Sequence, residues 1–552
     1  MKKRYLALIA IVLLAGALRF YKLGDVPTGF HRDEAFLGYN AYSILKTGKD
    51  MSGNPYPLHL QSFLYSPAGY SYTSIPFIAL FGLNEYSVRF ASALFGTFSV
   101  FILFILVRQL FPKMIPAALF ASGLLALSPW HINLSRTATE NTVALFFVLL
   151  GMYLYLLWVR SNNLKFLIIS CISFFLTLFI YQAPRVFVPL LLLLLPAVYW
   201  RKLTGHGKTL ALTTGVVTML LVAVIFLSPT RSLRAQTVSI FGNQNTQLVL
   251  NEQLTEDSVS GMNGLLPRLF HNKLLGYLSV FAENYFSHWT YQFLFTDKGL
   301  PDRYRVPGAG LLYPVELPLL LLGIWFLLRN NKRTGLLMLG WAVIGPIGSA
   351  LAFDDVPNLQ RTLLAYPALA ILSSYGAYQL FILLRKHWII RLLVYSLIGL
   401  LFLNVSQYLH VYYIHQLVHR PWYRQEGYKK LVSRVRELAP SYKKMIITNH
   451  ESSPGIYFLF YNKIDPSYFH SVIYGKNLRD FDRVNFDSYE FPEDPCPLKT
   501  TDPKTNRDVP TAEFGVLYVN FSTCEIPVRG ANVVDEIHRG DGSVVFRLFE
   551  KK

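Results

Sequence analysis

The chain has 552 residues, of which 52% are apolar and 15% charged, whereas a soluble domain carries about 25% charged residues. Its 52 Lys and Arg outnumber its 33 Asp and Glu, giving a net charge of +19. This composition excludes an ordinary soluble enzyme, and the scatter of the basic residues among apolar runs excludes a nucleic-acid-binding tail; a polytopic membrane protein with a soluble part fits.

About eleven apolar windows are long enough to read as spans: 5–20, 90–107, 115–130, 142–159, 166–181, 186–200, 210–227, 311–328, 335–353, 363–384 and 388–409. Trp130, Trp158, Trp200 and Trp388 sit at window ends, where amphipathic rings prefer the interface. The start, Lys2-Lys3-Arg4 before a short apolar run with Ala15-Gly16-Ala17, looks like a cleaved signal. In a polytopic chain an uncleaved first span is the better reading. The apolar stretch from Tyr70 to Leu83 is short and interrupted by Pro76, and reads as an interfacial or re-entrant helix.

With the N-terminus inside, the inner connections hold Lys2, Lys3, Arg4, Arg108, Lys113, Arg160, Lys165 and the later basic groups at 201–208, 329–333 and 385–391. The short outer connections hold only Arg136, Arg185 and Arg361. That asymmetry sets the orientation. Two long loops, about 21–89 and 228–310, and the polar segment 410–552 then lie outside. The expected division is a membrane domain over 1–409 and a small extracytoplasmic α/β domain over 410–552. In the latter, 423–438 has helical spacing and basic residues. The stretches 445–448, 515–521 and 544–549 read as strands, and 494–510 as a loop. Cys171 lies in an apolar run and packs; Cys496 and Cys524 suit a disulfide in an oxidising compartment, although spacing leaves their pairing open.

The span interiors hold almost no ionisable residues, which argues against a proton-coupled carrier. The chemistry-bearing residues gather at the outer face instead. The first cluster is His31-Arg32-Asp33-Glu34, before a helix-like stretch over 35–46. A carboxylate beside apolar surface suits general-base work; the plainer reading is helix capping by Asp33. The second cluster, Ser135 to Asn141, adds Glu140, whose plainer role is to favour a helix dipole. Two acids in successive outer connections suit acid–base or metal chemistry. Arg361 and Arg185 run against the charge asymmetry, and a guanidinium fork there suits phosphate. The plainer reading of Arg361 is a salt bridge to Asp354 or Asp355. No nucleotide-type Gly-rich loop, Cys/His metal spacing or nucleophile elbow occurs.

His31-Arg32-Asp33-Glu34-Ala35, Leu80-Phe81-Gly82 through Arg89-Phe90-Ala91-Ser92-Ala93-Leu94, and Leu127-Ser128-Pro129 with Ser135-Arg136 and Glu140 together form a pattern. It resembles the GT-C membrane glycosyltransferases related to dolichyl-phosphate-mannose–protein mannosyltransferases (glycosyltransferase family 39). The likeness is greatest to a bacterial branch that includes aminoarabinose and lipopolysaccharide-core galacturonosyl transferases, and it covers roughly 1–200. Later, 307–313 and Pro357-Asn358 to Arg361 look like a bacterial subgroup.

The resemblance implies a GT-C-like polytopic helical fold and an integral protein of the cell membrane that is active on its outer face. The donor would be a polyprenyl-phosphate-linked sugar and the acceptor a lipid, glycan or protein. Asp33 would be the base, with Glu34 beside it, and Glu140 would support the acceptor or, in metal-using relatives, a divalent cation. Arg361, with Arg185 or Arg136, would hold phosphate; His31 and Arg89 are further site residues. Two departures stand out. The Lys-Pro-Pro of aminoarabinose transferases is replaced by Tyr65-Ser66-Pro67-Ala68, and Glu140 stands where many relatives have Asp. Other readings are an oligosaccharide or O-antigen-type ligase, a flippase of lipid-linked sugars, and an assembly protein anchored by its spans.

Overall fold

The computed structural model describes residues 2–61, 66–227, 238–242, 244–262, 265–383, 388–476, 484–498, 512–524 and 531–551. Tyr65, Arg385, Lys386 and most of the loop expected at 494–510 lie outside these. The chain divides into two compact units.

The first unit comprises Met1–Arg19, Ala93–Ser135 and Thr139–Leu409. Each apolar window forms helix over most of its length, as continuous apolar sequence with few Gly or Pro breaks requires. Among the described residues five helices are long and apolar enough to cross a membrane: Glu85–Leu110, Glu140–Ser161, Pro184–Lys202, Gly205–Ile225 and Trp388–Leu417. A bent pair, Ile115–Leu127 with Pro129–Ser135, makes a sixth if counted as one span. Tyr5–Phe20 and Leu164–Ile180 are shorter apolar helices. Of the three remaining windows, 363–384 forms a 3₁₀ turn and then the continuous helix Tyr366–Leu383, and the other two are interrupted. The helix in 311–328 begins only at Glu316, after Pro314, and runs Glu316–Asn330. The window 335–353 becomes Lys332–Ile344 and the short Ile347–Ala350, parted by Gly345-Pro346. Proline lacks the N–H that would continue the ladder.

The break at Ser128-Pro129 replaces the expected continuous 115–130 span with a 54° bend. It frees the last carbonyls of Ile115–Leu127, and side chains supply their partners. Arg19, fully buried, donates to Leu125 O at 3.1 Å and Ala126 O at 3.2 Å. Tyr313 donates to Leu127 O at 2.7 Å and Tyr366 to Leu124 O at 3.2 Å. Arg19 also contacts His131 Nδ1 at 2.7 Å, tying the first helix to the segment beyond the bend. Leu125, Trp130, Leu149, Trp341 and Tyr366 belong to the core of this unit.

The second unit comprises Phe20–Ser92, Arg136–Ala138 and His410–Lys552, so the first loop shares a unit with the C-terminal segment. Two short strands, β1 (His59–Leu60) and β2 (Ser66–Pro67), pair antiparallel. The main sheet holds β3 (Lys444–Ile447), β4 (Tyr489–Glu490), β5 (Val516–Phe521), β6 (Ala531–His538) and β7 (Val544–Lys551) in the order β4-β3-β5-β7-β6. β3 runs parallel to β4 and β5; β7 runs antiparallel to β5 and β6. β5 reads VLYVNF and is almost wholly buried, as a central strand should be. The expected helix starts at Tyr428 rather than Tyr423, because Pro421–Arg424 forms a 3₁₀ turn and Gly427 has φ 115. It buries Tyr428, Leu431, Val432 and Val435, the spacing of a single face. Two helices, Pro454–Tyr461 and Pro466–Ile473, are additional to the sequence reading. Cys496 and Cys524 form a disulfide with Cα atoms 5.7 Å apart.

Candidate active site

The first-loop cluster begins at the helix Arg32–Thr47. Its N-cap is His31, not Asp33: the imidazole Nδ1 accepts the Asp33 N–H at 3.2 Å, and Glu34 accepts the His31 N–H at 3.4 Å. This reciprocal arrangement satisfies first-turn amides. Asp33 therefore occupies the second helical position, where the N-terminal dipole favours its charge. Its carboxylate is 55% exposed and lies 3.3 Å from His31 Nδ1.

Glu34 turns the other way and is buried. Its Oε2 receives Arg89 Nε at 2.8 Å and the Ala138 N–H at 2.9 Å, and its Oε1 receives Arg89 Nη2 at 3.1 Å. Burial raises the Glu34 carboxyl pKa, but the Arg89 charge and these hydrogen bonds outweigh it and hold the group below the usual carboxylate range. The rest of the Arg89 fork binds Leu23 O at 3.3 Å, Pro27 O at 3.2 Å and Gly29 O at 2.7 Å. Bidentate pairing with both partners desolvated gives this ion pair a fixed geometry. It folds 23–29 around itself. Arg136, fully buried, does the same for Tyr21 O at 2.6 Å and Val26 O at 2.9 Å, with its guanidinium 4.9 Å from the Tyr413 ring. Thus Glu34, Arg89 and Arg136 build the loop that presents Asp33.

The other cluster lies in the first unit. Glu140 opens the helix Glu140–Ser161, and its Oε2 accepts Gln360 Nε2 at 2.9 Å. Gln360 Oε1 accepts the Tyr304 hydroxyl at 3.0 Å, Asn141 donates to Gln360 O, and Asn133 donates to Tyr304 O at 2.6 Å. Trp130 donates to Leu359 O at 2.8 Å. Glu140 is thereby tied to the residue preceding Arg361. Arg361 itself donates to Asp354 O at 2.7 Å and Asp354 Oδ1 at 3.0 Å, with 18% of its side chain exposed. Asn358 caps its backbone N–H at 2.9 Å and reaches Asp355 at 2.7 Å. Arg185 is buried, and its Nε donates to Leu178 O at 3.0 Å.

The structure thus brings His31, Asp33, Glu34, Arg89 and Arg136 together in one unit, and Glu140 with the Arg361 loop in the other. Gln360, Tyr304, Asn133 and His288, whose Nε2 accepts the Asn358 N–H at 3.2 Å, are the residues that sequence reasoning missed. Gln360 adjoins Arg361 and lies inside the motif quoted for it; the others carry no local signal. Among the described residues no group of three or more His, Cys, Asp or Glu is placed to hold a metal ion.

Residues 66–228 match the model of the family described as dolichyl-phosphate-mannose-protein mannosyltransferase. The fold is similar to that of ArnT from Cupriavidus metallidurans in the apo state, with a TM-score of 0.52 and 14% identity over 98% of this chain and 97% of that chain. The same protein bound to undecaprenyl phosphate gives the same values. The archaeal oligosaccharyltransferase AglB from Archaeoglobus fulgidus, in complex with an inhibitory peptide and a dolichol-phosphate, gives a TM-score of 0.49. Its identity is 13% over 83% of this chain and 63% of that chain. No curated protein matches by sequence. The chain thus has an ArnT-like fold, and its segment 66–228 matches the mannosyltransferase family model.

Proposed function

We propose that this chain is a GT-C glycosyltransferase that moves a sugar from a polyprenyl-phosphate donor to a hydroxyl-bearing acceptor, with Asp33 as the general base. The family match over 66–228 and the ArnT-type fold support the class. The undecaprenyl phosphate held by ArnT supports a lipid-phosphate donor. The observation that carries the assignment of the base is the contrast between neighbouring acids: Glu34 is sunk in an ion pair, while Asp33 stands 55% exposed at the start of a fixed helix.

Asp33 takes the proton from the acceptor hydroxyl. The acceptor oxygen then bonds to the anomeric carbon as the bond from that carbon to the phosphate oxygen breaks. The lipid phosphate leaves with the electron pair, and the sugar is inverted. Arg361, now paired with Asp354, exchanges that carboxylate for the phosphate and stabilises its growing charge, and Arg185 is the second candidate for that role. Glu140, held by Gln360, orients the acceptor.

The reaction faces the outside. The basic residues of the opposite connections and the Cys496–Cys524 disulfide both support that side, because disulfides persist in oxidising compartments.

The test is transfer of radiolabelled sugar from polyprenyl phosphate in membranes carrying the wild type or Asp33→Asn. Loss of a positioned base lowers the rate about 10²–10⁴-fold, so the variant should retain its fold and lose turnover by that factor. Equal transfer by both would remove Asp33 as the base. Movement of lipid-linked sugar across the membrane without any covalent transfer would reject the enzyme altogether.

A further inference from the structure

The first-turn amides of a helix need partners from outside its own ladder. In Arg32–Thr47 the Asp33 N–H is met locally by His31. The Arg32 N–H is met from 393 residues away, by Gln425 Oε1 at 2.8 Å. That same oxygen accepts the Tyr457 hydroxyl at 2.7 Å. Tyr457 is itself immobilised, buried and stacked on Tyr428 with ring centroids 4.3 Å apart. Arg32 Nη1 reaches Ser453 Oγ at 3.3 Å, and Ser453 is fully buried at the N-cap of Pro454–Tyr461.

Two backbone features show that this seat is tight. Gly29 has φ +74, and a Cβ there would lie 2.4 Å from Arg424 O, so the loop approaches the 421–425 turn more closely than any side chain allows. Gln425 adopts φ 56 and ψ 41, a left-handed conformation that residues other than glycine adopt uncommonly. In that conformation its side-chain oxygen serves Arg32 and Tyr457 at once. All of these residues belong to the same unit.

We propose that Gln425, assisted by Ser453, is a positioning residue for Asp33. The C-terminal segment completes the cap of the Asp33 helix and fixes the direction of the carboxylate. Asp33 is pinned on both sides, by His31 on its own amide and by Gln425 on the amide before it. The C-terminal segment is therefore part of the catalytic apparatus. The role assigned to Gln425 rests on Asp33 being the base.

The test uses the full-length protein in membranes, with Gln425→Leu, Gln425→Glu, Asp33→Asn and the double variant Asp33→Asn/Gln425→Leu. Hydrogen exchange at the amides of 32–34 reads the seat without reference to chemistry. Misplacing a reacting group by about 1 Å costs about 100-fold, so a loosened base should cost about 10–100-fold in kcat. We expect Gln425→Leu to speed exchange at 32–34 and lower kcat by that factor, with donor KM within about twofold. Gln425→Glu, which keeps an acceptor oxygen, should restore most of both. In the Asp33→Asn background Gln425→Leu should cost nothing further. Unchanged exchange, a raised KM with kcat intact, no rescue by Glu, or additive losses in the double variant would each overturn the positioning role. Full activity of Asp33→Asn would overturn the base itself, with the exchange result still deciding whether Gln425 seats the helix.

Discussion

The carbonyl of Asn284 lies 2.7 Å from His288 Nδ1, so that nitrogen carries the ring proton. His288 Nε2 is left to accept, from Ser349 Oγ at 2.9 Å and from the Asn358 N–H at 3.2 Å. Asn358 in turn caps Arg361. The loop that carries the proposed phosphate ligand thus hangs on a neutral imidazole. Burial, together with the Arg361 charge, pushes the His288 pKa down from 6.5 to about 4. The unfolded chain therefore binds the extra proton first. The stabilisation from His288 is complete above about pH 6.5 and is lost as pH falls toward about 4, on the order of 3 kcal/mol in all. Thermal unfolding of the wild type should weaken across that window, and His288→Gln, which cannot titrate, should flatten the acid limb. An acid limb unchanged by the substitution would rule this coupling out. Nothing in the local sequence announces His288, because its partners lie 61 and 70 residues away. The proposal for Asp33 starts from sequence for the opposite reason: it rests on its immediate neighbours and its place after the first apolar window. The difference in burial between Asp33 and Glu34 was not legible, because it depends on Arg89, 55 residues from Glu34.

Helix pairs with small residues at the contact can bring their backbones close together. Glu316–Asn330 and Tyr366–Leu383 meet at two glycines. A Cβ at Gly323 would lie 1.8 Å from Leu372 O, and one at Gly376 would lie 2.0 Å from Leu319 O. Both obstacles are backbone atoms, so neither can turn aside. Gly376→Ala should therefore force the helices apart, at a cost of about 1–3 kcal/mol or more. Gly123 in Ile115–Leu127 has nothing within 4 Å, so Gly123→Ala should be neutral or slightly stabilising. Detergent-resistant melting of the two variants side by side checks this; equal melting temperatures would show that the glycine contact is dispensable. The helices themselves were legible because apolar composition dictates them. Their interruptions at Pro129 and Pro346 do not show in hydropathy, because a proline that breaks the helix leaves the window apolar. Strand β6, ANVVDEIH, was not legible at all. It lies at the sheet edge with mostly exposed or half-buried residues and carries charges, so its hydrophobic alternation is weak.

At the scale of the molecule, the first loop and the C-terminal segment fold as one unit, which linear sequence cannot reveal: the residues concerned are separated by the whole set of spans. The consequence is that orientation and chemistry are one question, since whichever side receives 410–552 also receives Asp33. The cysteines give a direct reading of that side. Cys496 and Cys524 are bonded, whereas Cys171 is a free, half-buried thiol in the apolar helix Leu164–Ile180. A membrane-impermeant maleimide applied to intact cells should label nothing at first. After mild external reduction it should label Cys496 and Cys524, while Cys171 reacts only once the membrane is dissolved and the protein unfolded. Labelling of Cys496 and Cys524 that needs permeabilised cells but no reductant would place this unit in the reducing interior. It would also reverse the charge-based orientation and leave a base at Asp33 facing the wrong pool of lipid-linked sugar. The same experiment therefore judges the basic residues of the connections, the disulfide and the proposed direction of catalysis together, because all three derive from a single assignment of sides.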